Sequence, residues 1–192
     1  MARSIHTRTA GNPFFVRELS RLLAGDSAPG PGVPSTVRDV VRDQVAGLEE
    51  NTSELLEVAA LIGRDVDLRL LSRAAAVDAA DCLERLEPLH ALGVLETSPD
   101  TPSTVRFAHD LVRESISETT TRQRAARLHL RVADALDQLH AGDEAVAERL
   151  AYHLWAAGPL ADPARTAEAL RRAGRGEALG VPLPLRPIGE SA

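Results

Sequence analysis

The periodicity of the chain changes at one place. Up to Leu92 the apolar residues recur mostly at helical spacing, and from Asp110 onward they do so again. Between them lie two short β-rich runs, Val94-Leu95-Glu96-Thr97 and Thr104-Val105-Arg106-Phe107, separated by the turn-like Ser98-Pro99-Asp100-Thr101-Pro102-Ser103. One small hairpin set among helices points to a mainly α fold. A core built on Ala, Leu and Val with only 3% aromatic residues agrees with closely packed helices.

The helical pieces have readable ends. Val16, Leu19, Leu22 and Leu23 form a helical stripe after Gly11-Asn12-Pro13, and the Pro/Gly run over 26–34 separates it from the next helix. Ser35 or Thr36 is placed to cap that helix, which carries Val37, Val40, Val41, Val45 and Leu48. Asn51 with Glu54 predicts a capping box for a helix through Leu55, Leu56, Ala59 and Ile62 to Gly63. Shorter helices are expected over Asp67 to Ala76 and Asp78 to Leu92, the second capped by Asp78 and stopped by Gly93. Helices followed by one hairpin is the order of a winged helix, and Asp110 is expected to cap a further helix through Ile116.

From Arg122 the pattern is helical throughout. Leu128, Val132, Leu136 and Leu139 make one stripe; Val146, Leu150, Leu154 and Ala157 make the next; Asp162-Pro163 opens a third helix with Ala167 and Leu170. Helices of this length with short connections predict the start of a tetratricopeptide-like α-solenoid. The expected organisation is therefore a lid-helix remnant over 1–25, a linker over 26–34, a winged-helix domain over 35–121, helical repeats over 122–179, and a Pro-rich tail over 180–192.

Charge and composition remove several functions. All 22 basic residues are arginine, so neither a Schiff-base lysine nor a phosphate-loop lysine is available, and no Walker A site fits in this chain. A net charge of −6 does not favour nucleic acid. The expected recognition helix carries Asp78, Asp81, Glu84 and Glu87 against Arg85 and His90, an acidic face where phosphate backbones need a basic one. Direct DNA binding is therefore not expected. A single cysteine, Cys82, precludes an intramolecular disulfide, and no apolar run reaches the roughly 18 residues of a membrane span. A cytoplasmic protein is the expectation. His129, His140 and His153 match no compact metal-ligand spacing, and His129 and His153 read as helix-packing residues. With no nucleophile in a recognisable context, no catalytic residue is expected.

Two motifs remain. Gly11-Asn12-Pro13-Phe14-Phe15 opens a helix, with Asn12 placed to cap and Pro13 fixing φ. In Phe107-Ala108-His109-Asp110-Leu111-Val112-Arg113-Glu114, a strand reading puts Val105, Phe107 and His109 on one face. His109 is then either a core-edge histidine or, beside a helix N-terminus, a group placed to meet an anion.

These two motifs, in this order, resemble the back half of STAND-class signalling ATPases, which are related to the AAA+ proteins, and specifically the LuxR-type bacterial regulators. The run from Gly11 to Leu19 is similar to their lid motif, with Ala10 where a second glycine is expected; the run from Phe107 to Glu114 is similar to a Met-His-Asp-type motif, with Ala108 in place of methionine. The resemblance spans about residues 5–158. It implies that Pro13 packs on adenine and His109 contacts the β-phosphate of ADP, with Gly11, Asn12 and Asp110 in support. It also implies a fragment of a transcription-regulating switch that lacks the phosphate-loop half. ADP or ATP would belong to the intact parent, and binding by this chain alone is expected to be weak or absent. The expected partners are the missing nucleotide-binding half or other proteins docking on the helical repeats. The alternative is an interaction scaffold in which the nucleotide motifs are relics.

Overall fold

A computed structural model describes residues 45, 47–98 and 101–178. The first helix and its Gly-Asn-Pro motif, the linker and the Pro-rich tail lie outside these residues. So does the helix expected from Ser35, except at its end, where the Leu48 N–H donates to the Val45 carbonyl at 3.0 Å. The chain divides into two compact units at Thr121/Arg122.

The first unit runs α1 (Glu50–Ile62), β1 (Asp65–Asp67), α2 (Leu68–Ala75), α3 (Ala79–Ala91), β2 (Leu95–Thr97), β3 (Thr104–Phe107) and α4 (Asp110–Thr119). The strands form an antiparallel sheet in the order β1-β3-β2. The sheet is thus three-stranded, where sequence pattern predicts a two-stranded hairpin. In β1 only Val66 is buried, and a three-residue strand with one apolar position is too short to show alternation. Its register sets Asp65 opposite Arg106 and Val66 opposite Val105. The cross-strand pair is closed by Arg106 Nε donating to Asp65 Oδ1 at 2.6 Å.

Apolar faces from every element meet in one core: Leu55, Leu56 and Ala59 from α1, Leu70 and Leu71 from α2, Leu86 and Leu89 from α3, and Val112 and Ile116 from α4. Phe107, the largest side chain buried outright, comes from β3, and burying such a side chain stabilises by about 1.5–3 kcal/mol. Asp67 ends β1 and caps α2, accepting from the Arg69 and Leu70 amides at 2.8 and 3.0 Å. Asp78 caps α3 through the Asp81 amide, as its position predicts. Gly93, at φ 67°, takes the left-handed conformation that turns the chain from α3 into β2.

Two caps differ from expectation. The helix predicted to start at Asn51 starts at Glu50, its N-cap is Glu49, and no side chain caps it, so the Asn51–Glu54 capping box does not form. At α4 the N-cap is His109 rather than Asp110, which is already the first helical residue; α4 also runs beyond Ile116 to Thr119.

The second unit contains α5 (Arg122–Leu139), a 3₁₀ turn (Glu144–Val146), α6 (Ala147–Ala157), a second 3₁₀ turn (Gly158–Leu160) and α7 (Pro163–Ala178). α6 packs against both α5 and α7. The inner faces are Leu128, Val132 and Leu136 on α5 and Leu150, Leu154 and Ala157 on α6. On α7 the predicted stripe is wrong: Ala167 and Leu170 are exposed and Ala169 is buried. Arg165, partly buried on the same helix, donates to Asp134 Oδ1 at 2.6 Å and to Asp137 Oδ2 at 2.6 and 3.0 Å.

Candidate anion-sensing site at the start of α4

Strand β3 ends at Phe107, so the segment carrying His109 leaves the sheet two residues earlier than a continued strand reading implies. The exit is held on both sides. The Phe107 N–H donates to the Arg64 carbonyl at 3.0 Å, and the Ala108 N–H donates to the Val94 carbonyl at 3.1 Å. The chain therefore enters α4 from a fixed position between the end of α1 and the start of β2. His109 has extended backbone angles (φ −146°, ψ 139°), and its carbonyl accepts from the Val112 and Arg113 amides at 3.1 and 3.4 Å. Its side chain does not cap the helix.

The imidazole is partly exposed and does not lie inside the core with Val105 and Phe107. Desolvation pushes its pKa below the ordinary histidine value; Glu96 acts against that shift, Arg64 with it, and Asp110 against it. Arg64 Nη1 lies 3.0 Å from Asp110 Oδ2. The result is a mostly neutral imidazole at a helix N-terminus, with a guanidinium and two carboxylates around it. An imidazole here could offer one ring N–H at the first turn of α4, whereas Glu96 and Asp110 oppose an anion and the Arg64 guanidinium is already paired with Asp110.

Of the residues singled out in the sequence, His109 and Asp110 are adjacent here, whereas Gly11, Asn12 and Pro13 lie outside the described residues. Arg64 and Glu96 are members that sequence reasoning misses. They are 45 and 13 positions away from His109, and only the pairing of β3 with its neighbours gathers them. No sequence signal marks either one.

Asp78 at the cap of α3 and Asp81, Glu84 and Glu87 along it are all exposed, while Arg85 is partly covered and lies 3.6 Å from Asp81. Cys82 is buried on the same helix; burial raises its thiol pKa, and Arg85 offsets this in part. His129 and His153 are buried in the second unit as packing residues, as expected, but no sequence pattern signals that their Nδ1 atoms meet at 2.8 Å. Among the described residues no group of three or more His, Cys, Asp or Glu is arranged to hold a metal ion, and no helix is long and apolar enough to cross a membrane.

No protein-family model matches this chain, and no curated protein matches it.

Proposed function

We propose that the chain is a nucleotide-state-sensing, regulatory part of a STAND-class ATPase of the LuxR type, non-catalytic by itself and working in transcriptional control. The observation that carries this reading is the position of His109: at the junction of β3 and α4, partly exposed, and flanked by Arg64. A sensor of the β-phosphate needs a donor held rigidly at a helix start, and the two backbone bonds at Phe107 and Ala108 supply that rigidity.

The element order of the first unit supports reading it as a winged helix, with α1, α2 and α3 as its helices and β2–β3 as its wing. The exposed carboxylates of α3 argue for an internal switch element over a DNA-reading one. In the intact switch, Pro13 would support adenine and His109 would hold the β-phosphate. Loss of the γ-phosphate would let the winged helix close over ADP and change which partner surfaces are exposed.

A second reading, a protein-interaction scaffold, is favoured by a different observation. Trp155 is 68% exposed, and Tyr152, Leu160 and Leu170 are also exposed in the second unit. There the helices, read as tetratricopeptide-like repeats, would dock a protein partner.

The test is an NMR titration of the isotope-labelled chain with ADP to millimolar concentration, with AMP as control, repeated on His109→Ala. Under the switch reading, ADP shifts the His109 imidazole and the first amides of α4, AMP shifts them less, and the substitution removes the response. An unchanged spectrum at millimolar ADP shows that this chain by itself does not sense nucleotide and favours the partner-binding scaffold, in which the nucleotide motifs are relics.

A further inference from the structure

The second unit contains a buried polar contact between two helices. His129 on α5 and His153 on α6 are 7% and 2% exposed, and their Nδ1 atoms are 2.8 Å apart. We propose that this pair is a proton-operated latch between α5 and α6, closed while the two Nδ1 atoms share one proton and opened by acid.

The geometry fixes the protonation pattern. Two Nδ1 atoms at hydrogen-bond distance need one N–H and one lone pair, so the two neutral rings must be opposite tautomers. One ring carries its proton on Nδ1, the other on Nε2. A first added proton goes to the free Nε2 of the donor ring and leaves the bond intact. A second puts hydrogens on both Nδ1 atoms, and two N–H groups then face each other across the gap. The contact cannot survive that state.

The surroundings resist both steps. Both rings are buried, as are Leu128 and Val132 on α5 and Leu150 and Leu154 on α6, and an imidazolium so buried loses its water. Tyr152 on α6 stands edge-on to both rings, at centroid distances of 5.6 and 5.2 Å. Arg149, also on α6, adds a like charge that opposes protonation of His153. On α7, Arg165 is engaged with Asp134 and Asp137, about one and a half and two turns further along α5 than His129. Arg172, on the same helix, is beside Glu144 of the 3₁₀ turn. These acidic groups are thus committed to other cations.

Desolvation accordingly holds His129 down to about 4 and His153 down to about 3, the latter with help from His129 and Arg149. Both values lie below that of a histidine in water, so the closed form binds fewer protons than the open one. The closed form is favoured above about pH 6.5 and loses ground as the pH falls towards the folded values. With two protons taken up on opening, the open-to-closed ratio rises by up to about 100-fold per pH unit inside that window.

Trp155 is the only tryptophan of the chain and follows His153 by two residues, so its fluorescence reads the second unit selectively. The test combines this signal with imidazole ¹⁵N–¹H correlation spectra of the whole chain between pH 7.5 and 4. The expected result is one Nδ1–H and one Nε2–H tautomer at pH 7.5, followed by loss of both together with a Trp155 transition that takes up about two protons. The double substitution His129→Leu with His153→Leu should remove that transition or move it well to the acid side. Two Nε2–H tautomers at neutral pH would overturn the proposal. So would ordinary titration near pH 6.5 with no Trp155 response, or an unchanged acid transition in the double variant. If that variant does not fold, the tautomer pattern of the unaltered chain still decides.

Discussion

Arg64 and Asp110 are 46 residues apart in sequence and 3.0 Å apart in space, joining the turn after α1 to the first residue of α4. Both side chains are about half exposed (51% and 49%), so the pair contributes no more than about 1 kcal/mol to stability. Its consequence is local. It occupies the carboxylate expected to cap α4 and sets a guanidinium beside His109.

Arg64→Ala should therefore raise the pKa of His109, because the cation that opposes its protonation is gone and Asp110 acts without an offset. Glu96→Gln should lower it further. In the unaltered protein the folded pKa lies below the unfolded one, so this histidine's contribution favours the folded state above about pH 6.5 and is lost as the pH falls through the folded value. Arg64→Ala should narrow that window. An NMR titration of the His109 ring proton measures both shifts, and a midpoint indifferent to Arg64 would remove Arg64 from the site.

Ala76 closes α2 in the left-handed conformation, at φ 57°, and is exposed. The left-handed region costs a Cβ-bearing residue roughly 1–2 kcal/mol, part of which glycine gives back in unfolded-chain entropy. Ala76→Gly should raise the stability of the first unit by about 0.5–1 kcal/mol in urea unfolding. A loss of stability would mean that the αL cap is not the governing term at this position.

Arg165 binds two aspartates at once through separate nitrogens, a geometry that a lysine ammonium cannot reproduce. Arg165→Lys should behave nearly as Arg165→Ala does, each costing about 1 kcal/mol because the site is only partly buried. Thermal unfolding followed at Trp155 compares them, and full rescue by lysine would show that charge alone suffices.

Cys82 is 1% exposed, and burial raises its thiol pKa. An aromatic disulfide reagent should react with it slowly in the native protein and rapidly after denaturation. Fast native labelling at neutral pH would indicate that α3 opens on its own.

Much of the architecture is legible in the sequence because it rests on local chemistry. Asp78 and Gly93 mark helix ends through interactions that span only a few residues, and each does what its position predicts, whereas Asp67, expected as the first residue of a helix, ends β1 and caps α2 from outside. The stripes of α5 and α6 obey the same logic over Leu128, Val132 and Leu136 and over Leu150, Leu154 and Ala157, while Leu139 is half-buried and Val146 falls in the preceding 3₁₀ turn. Asn51 shows the limit: the chain enters α1 one residue before it, which places a good capping residue inside the helix.

Residue type and short-range period thus account for the helical character of the chain, the place of its β-hairpin and the lack of any lysine for a phosphate loop. Four other features depend on the folded whole: Val66 adds a third strand, α7 turns Ala169 inward, Arg64 and Glu96 surround His109, and His129 meets His153. Each of these reflects contact between elements distant in the chain. Pairing across a sheet or between helices is fixed by the packing of an entire unit, which no local pattern encodes.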